Sequence, residues 1–377
     1  MIKYIKIFAV TGLFLFVCES YGQTRDEIII RGMDHMYHMR MDSAKFDFDW
    51  VVSMNSKDPA GYFFLALLEW WKISVNKEDE SNDENFYRAV ERVEDVADKV
   101  LDKNSQDPNA LFYKGAAVGY RGLVKAIRNS WLNAAEDGKE ALDLFGDVHE
   151  LQPANKDVLF GTGVYNYFAE YVPDRYPFLK PLMILFPDGD KTRGLLQIKE
   201  TAINSTFAKT EAKLILAYLY LRYEKNYLEA ELYSKSLLDQ YPENSLFARY
   251  LYNSYVGLSK YNDAIEGWKK VIEASDNKQY GYTNPFLKRE AYYYLGFSNM
   301  NLGNNEEAKN YFIKAEELSN QIDKEGSMIK AFNLLWLGVT YRNLMDTGKA
   351  REYFDKVLNM ENFGDSHKQA EQFKNQL

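Results

Sequence analysis

Residues 295–315 read LGFSNMNLGNNEEAKNYFIKA, and residues 337–357 read LGVTYRNLMDTGKAREYFDKV. The two stretches align position by position. Gly296 and Gly338 are followed twelve residues later by Ala308 and Ala350, then four later by Phe312 and Phe354, and three later by Ala315 and Val357. Apolar spacings of three and four keep these groups on one stripe of a helix. The polar stretch between the two small residues leaves room for a turn, so each copy reads as a pair of helices. Small residues where the two helices cross let the backbones approach, and the bulky residue fills the gap to the next pair.

Working outward, the pattern recurs along the chain. The first copy carries Ile28, Gly32, Ala44, Phe48 and Val51, and a third carries Gly115, Ala141, Phe145 and Val148. Others are built on Ala230 and Leu237, and on Ala264, Trp268 and Val271. Two are degenerate, one on Ala66, Val93, Ala97 and Val100, the other on Gly163, Gly194 and Ile198. Helix starts are flagged by Asp58-Pro59, Asp107-Pro108 and Tyr241-Pro242-Glu243-Asn244, because proline fits a first helical turn. A period of about 34 residues with these anchors resembles the tetratricopeptide repeat family over nearly all of residues 25–358. The resemblance implies an all-α chain, an α-α superhelix or solenoid of about eight helical hairpins. Departures are Tyr218 and Tyr252 at the first small position, and Val93 and Gly194 at the second.

Hydrophobic content of 46% and charged content of 27% are those of a folded globular chain. The aromatic share of 15%, with 29 Tyr and 23 Phe, is high. A net charge of −9 with no basic stripe argues against nucleic acid as partner. Met1 to Gly22 reads as a secretory signal peptide, with Lys3 and Lys6, an apolar run from Ile7 to Val17, and Ser20 and Gly22 before the cleavage point. The run is shorter than the roughly 20 residues a membrane-spanning helix needs. Cleavage after Gly22 makes Gln23 the first residue and removes Cys18, the only cysteine; a second reading makes Cys18 a lipid anchor. The expected location is the periplasm or the outer membrane, with peripheral association to the envelope.

Within residues 23–358 the period is broken at about 74–85, 119–137, 164–193 and 277–285. The first is a charged segment expected as a solvated loop, the second as longer helices. The third holds Pro173, Pro177, Pro181 and Pro187, then Asp188-Gly189-Asp190, and resembles a segment of the tetratricopeptide repeat protein 39 family over about residues 160–202. Residues 359–377 are expected to form a capping helix with Ala370, Phe373 and Leu377 on one side.

Three places could carry chemistry. Met33, His35, Met36, His38, Met39 and Met41 offer soft ligands for Cu(I), with His35, His38 and Met36 as the candidates. The same run falls on the first helix of a hairpin, where Met fills irregular gaps in a core, and the expectation is no metal and no cofactor. The apolar stretch from Pro177 to Pro187 could take up an apolar ligand or touch a membrane surface, and packing between hairpins is its plain alternative. The third follows from the family resemblance, in which first-helix positions 2, 5, 9 and 12 line a concave groove. These include Arg249, Asn253, Tyr293, Phe297, Met300, Leu335, Val339 and Arg342. Arg249 and Asn253 match half of a clamp for a peptide carboxylate, and Tyr294 and Trp336 stand where its other half needs polar groups. No G-x-S-x-G elbow, phosphate loop or H-E-x-x-H is present, so catalysis is not expected. The reading is a non-catalytic scaffold that binds a protein or peptide in its concave groove.

Overall fold

The computed structural model describes residues 23–175 and 186–377. The leader, with Cys18, and nearly all of the Pro177–Pro187 stretch lie outside the described residues. Seventeen helices follow one another among the described residues, with no strand. The first eight are α1 (Arg25–Tyr37), α2 (Met41–Met54), α3 (Pro59–Val75), α4 (Asp83–Leu101), α5 (Pro108–Ile127), α6 (Trp131–Leu151), α7 (Val158–Arg175) and α8 (Lys191–Asn204). Then come α9 (Lys209–Arg222), α10 (Tyr227–Gln240), α11 (Ser245–Gly257), α12 (Tyr261–Asp276), α13 (Pro285–Asn301), α14 (Asn305–Ile322), α15 (Met328–Asn343), α16 (Thr347–Leu358) and α17 (Ser366–Lys374). Each odd helix packs on the next even one, making eight hairpins with α17 against the last. None of these helices is long and apolar enough to cross a membrane.

The helices begin where the sequence can satisfy their free N–H groups. Asp58 and Asp107 accept from Ala60 N at 3.0 Å and Ala110 N at 2.9 Å, each followed by proline in the first turn. Thr24 and Glu27 form a capping box at the start of α1. Between the two helices of six hairpins the chain turns through one residue with positive φ: Met39, Asn129, Lys225, Ser259, Gly303 and Met345. Only one of these is glycine.

The repeat anchors are buried at the hairpin crossings. Ala44, Ala264, Ala308 and Ala350 are fully inaccessible, and Ala141 and Ala230 nearly so. A methyl group added to Gly296 would lie 2.7 Å from the Phe312 ring, and one on Gly338 would lie 2.6 Å from Phe354. The Phe48 ring lies on Gly32 in the same way, and Phe145 wedges between Gly115 and Gly161 of the next hairpin. The second-helix aromatic therefore packs on bare first-helix backbone. Tyr218 in α9 is matched sixteen residues on by the small, buried Ser234. Tyr252 in α11 is matched by the fully buried Trp268, which it meets edge-on at 5.9 Å, and its ring finds room over the neighbouring Gly267 of α12. Val93 is fully buried, and Gly194 meets Gly163 where the backbones of α7 and α8 touch. A methyl on Gly194 would lie 2.7 Å from both Gly163 O and Tyr167 N.

The breaks in the period take definite forms. Residues 119–137 extend α5 and α6 to 20 and 21 residues. The expected insertion over 164–193 is shorter, because residues 164–175 continue α7 and 191–193 open α8. The chain re-enters on α7: Tyr165 OH donates to Pro187 O at 2.9 Å, and Gly189 sits hard against the backbone of Asn166 and Glu170. Asp190 caps α8 through Arg193 N at 2.8 Å.

Beyond consecutive helices, neighbouring hairpins meet chiefly through their odd helices, α1 with α3, α3 with α5, α5 with α7, α9 with α11 and α13 with α15, so the odd helices form the inside of the curve. The curve is tight enough that α3 meets α11 directly. At that closure Glu211 is 5% exposed, and its Oε1 accepts from Trp71 Nε1 at 2.7 Å and Tyr37 OH at 3.2 Å. The Tyr37 ring lies 5.3 Å from Trp71 and 5.2 Å from Tyr241, and Trp71 meets Phe247 edge-on at 5.7 Å. Asn244 caps α11 through Leu246 N and Phe247 N, and its Nδ2 donates to Tyr37 O at 2.9 Å. His38 Nδ1 pairs with Glu243 at 2.8 Å on the rim, and Met39 reaches Gly281 in the loop before α13.

Two outcomes follow from this packing. Gly194→Ala forces two backbones apart and is expected to destabilise the fold by about 1–3 kcal/mol. Gly146→Ala has nothing within 4 Å of its new methyl and is expected to stabilise by about 0.5–1 kcal/mol. Denaturant unfolding of the two variants checks the contrast. Burial, against the Trp71 and Tyr37 hydrogen bonds, pushes the Glu211 carboxyl up to about 7 from its usual 4.5. A raised folded-state value means that its contribution is fully present below pH 4.5 and is lost as pH rises through 7, by about 3 kcal/mol in all. Glu211→Gln is expected to flatten that fall in stability between pH 5 and 8, read from urea midpoints across the range.

Candidate functional site

Counting along each odd helix from its crossing residue places the groove positions on the inside of the curve. In α9 the twelfth position is Arg222; in α11 the fifth and ninth are Arg249 and Asn253; in α13 the second is Glu290. These four converge. Arg249 Nη2 pairs with Glu290 Oε2 at 2.5 Å, and Asn253 Nδ2 donates to Glu290 Oε1 at 2.9 Å. Glu290 is 4% exposed, and the positive charges of Arg249 and Arg222 hold its carboxyl below the usual range despite that burial. The carboxylate that Arg249 and Asn253 were expected to clamp in a peptide is thus already supplied by the chain itself, as Glu290.

A fifth member comes from elsewhere. The segment 74–85 was expected as a solvated loop; helices take its two ends and leave 76–82 as the loop, where Glu78, Asp79 and Glu80 are exposed. Lys77 instead turns inward, its ammonium 5.2 Å from the centre of the Tyr218 ring. Its carbonyl accepts from Arg128 Nη1 at 2.5 Å, and Arg128 Nε pairs with Asp83 at 2.6 Å, which pins the loop at its base. Burial and the charges of Arg249 and Arg222 push the Lys77 ammonium down to about 8. The Tyr218 ring stacks on Tyr250 at 5.9 Å and meets Tyr223 at 5.4 Å, so an aromatic wall stands beside the charged cluster.

Toward the C-terminus the inner face turns aromatic. Tyr293, Phe297, Met300 and Trp336 are half-buried side by side, Phe297 lying 5.6 Å from Trp336 and 6.4 Å from Tyr261. Leu335 is fully buried and Val339 is 6% exposed, so these two support the groove from the core beneath and do not line its surface. Arg342 stacks over Phe373 of α17 at 5.1 Å and bonds Gln376 at 3.1 Å. With Phe373 lying 6.1 Å from Trp336, α17 closes this end of the groove.

The remaining candidates disperse. Met36 is fully buried, His35 faces Asp47 at 3.7 Å, and His38 points across the closure to Glu243. Asp47 is held by Arg31 at 2.5 Å. Among the described residues no group of three or more His, Cys, Asp or Glu is arranged to hold a metal ion. Beside Phe186 an open cleft of about 350 Å³ runs along α6, lined by Glu136, Lys139, Glu140, Asp143, Leu144, Asp147 and Phe186 itself. Its carboxylates do not suit an apolar ligand.

Arg222 and Glu290 went unmarked in the sequence although the same positional count names both. Lys77 carried no signal, since nothing local shows which helix its loop will face.

A sequence profile described as tetratricopeptide repeat matches residues 290–322 and 333–363, the seventh and eighth hairpins. No curated protein matches the chain. Among solved structures, alignment to YrrB, described as a TPR protein with an unusual peptide-binding site, has 15% identity and a TM-score of 0.34. It covers 74% of this chain and 97% of that one. Yeast Tom70 aligns at 13% identity over 93% of this chain and 95% of that one, with a TM-score of 0.40. A tetratricopeptide repeat protein from Parabacteroides merdae aligns at 12% over 94% and 100%, with a TM-score of 0.30.

Proposed function

We propose that the chain is a tetratricopeptide repeat protein that works as a non-catalytic scaffold of the bacterial cell envelope, holding a partner protein or peptide on its concave face. The observation that carries this reading is the row of half-buried aromatic and thioether side chains, Tyr293, Phe297, Met300 and Trp336, on the inner face of α13 and α15. Such a surface is rigid and apolar, presented by helices, and suits the apolar side chains of an extended segment. Among the described residues of the groove, the buried carboxylate of Glu290 is held ionised by arginine. Binding, with the two helix rows as a fixed frame, is the chemistry this arrangement serves.

Capture from envelope extract tests it. A chain carrying Phe297→Ser and Met300→Ser is expected to lose at least about tenfold of the wild-type chain's principal partner. A convex-face control, Leu228→Ser with Leu232→Ser, changes two side chains that are 66% and 61% exposed and is expected to retain it. Equal capture by the groove variant and the wild type would refute the groove.

Export is the second part of the proposal, supported by the leader from Met1 to Gly22. The intact mass of the protein recovered from its native host is expected to equal that of the chain beginning at Gln23, with no lipid. A mass beginning at Cys18 with added acyl chains would replace simple release by anchoring.

A further inference from the structure

The cluster at the closed end of the channel is unbalanced in two ways, and the partner-binding groove does not use it. Three cations, Lys77, Arg222 and Arg249, surround the single buried carboxylate of Glu290 in a chain whose net charge is −9. Glu78 acts on Lys77 and Arg249 from the solvent side, where water and salt screen it. Among the described residues Arg222 makes no ion pair or hydrogen bond, and Lys77 pairs with no carboxylate. The hydrogen bonding is incomplete as well. Arg249 Nε and Asn253 Oδ1 are both buried without a partner, and Asn253 as a whole is 7% exposed. Buried polar groups are nearly always satisfied, so unpaired atoms collected at one charged spot point to a ligand that supplies the missing partners.

We infer that Lys77, Arg222 and Arg249, with Asn253 beside them and Tyr218 as a wall, form a binding site for the phosphate group of a phosphomonoester. A surplus of two positive charges matches the near-dianionic phosphate monoester at neutral pH better than a carboxylate. Arginine forks bond phosphate oxygens two at a time, and Arg249 Nε has a free N–H to give. The ester's hydroxyl or amide protons would meet Asn253 Oδ1. Lys77 reaches the site only because its loop crosses the closed superhelix, so the site exists only in the assembled solenoid. The depressed ammonium of Lys77 supports the same view, since an incoming anion relieves the repulsion that lowers it.

The test is calorimetric titration of the chain from Gln23 onward with inorganic phosphate, O-phosphoserine, a phosphoserine-containing peptide and, as the comparison anion, acetate. One-to-one saturable binding of the phosphate probes, at least about tenfold tighter than acetate, is expected, and Arg222→Gln is expected to weaken it by about tenfold or more. Arg222 is exposed, so this variant should fold, and a circular dichroism melt confirms it. Arg193→Gln, exposed at the start of α8, serves as the unaffected control. If the peptide binds more tightly than free phosphoserine, the ligand is a phosphorylated segment; equal affinities assign a small phosphomonoester. As an independent readout, the lysine side-chain NMR signal assigned through Lys77→Gln should titrate at higher pH once phosphate is bound. The inference is overturned if no phosphate probe saturates, if acetate binds equally well, if Arg222→Gln changes nothing, or if the Lys77 midpoint stays put. None of these results bears on partner capture by Phe297 and Met300.

Discussion

An aromatic ring lying on bare backbone is the contact from which this solenoid is built. Phe48 on Gly32, Phe312 on Gly296 and Phe354 on Gly338 set the separation of the two helices in a hairpin, and every later contact inherits that spacing. Tyr218 matched by Ser234 inverts the order and keeps the fit, whereas Tyr252 faces Trp268 edge-on and is accommodated over the adjacent Gly267. Gly163 against Gly194 takes the close approach to its limit, with backbone on backbone.

Curvature converts this regular spacing into a closed turn, and closure buries charge. Glu211 and Glu290 are both almost inaccessible glutamates on first helices, yet they shift in opposite directions. Glu211 is met by an indole and a phenol, whose dipoles do not offset the loss of water, so the neutral form gains. Glu290 is met by a guanidinium with a second close by, so the ionised form gains. The first arrangement suits a clasp, because a carboxyl held neutral costs little to bury. The second keeps a fixed charge on the inner face and holds Arg249 in place through its ion pair.

Much of this was legible in the sequence. Gly296 and Ala308 announce their hairpin because the helical period is local, and Asp58-Pro59 and Asp107-Pro108 announce their helix starts for the same reason. The inter-helix turns were quieter: Met39, Asn129, Lys225, Ser259 and Met345 adopt positive φ without being glycine, so composition does not mark them. Among the groove residues, Arg249, Tyr293, Phe297 and Met300 are partly exposed, whereas Asn253 is buried and Leu335 and Val339, one odd helix further on, sink into the core. Leu335 and Val339 join Ala350, Phe354 and Ala370 in one cluster, a contact that depends on where α16 and α17 land. Lys77 shows the same limit, since a charged loop reads as solvated until the helix across the channel is known.

The sequence by itself determined an all-α chain of about eight hairpins and which small and bulky residues their crossings would bury. These follow from patterns within some forty residues, where periodicity and side-chain size act directly. Only the tertiary structure decided how far the solenoid would curl. Each crossing adds a small rotation, and the sum over five hairpins brings α3 onto α11, Trp71 onto Phe247 and Lys77 beside Arg249. No single repeat encodes that sum, so the charged end of the channel belongs to the assembled superhelix alone.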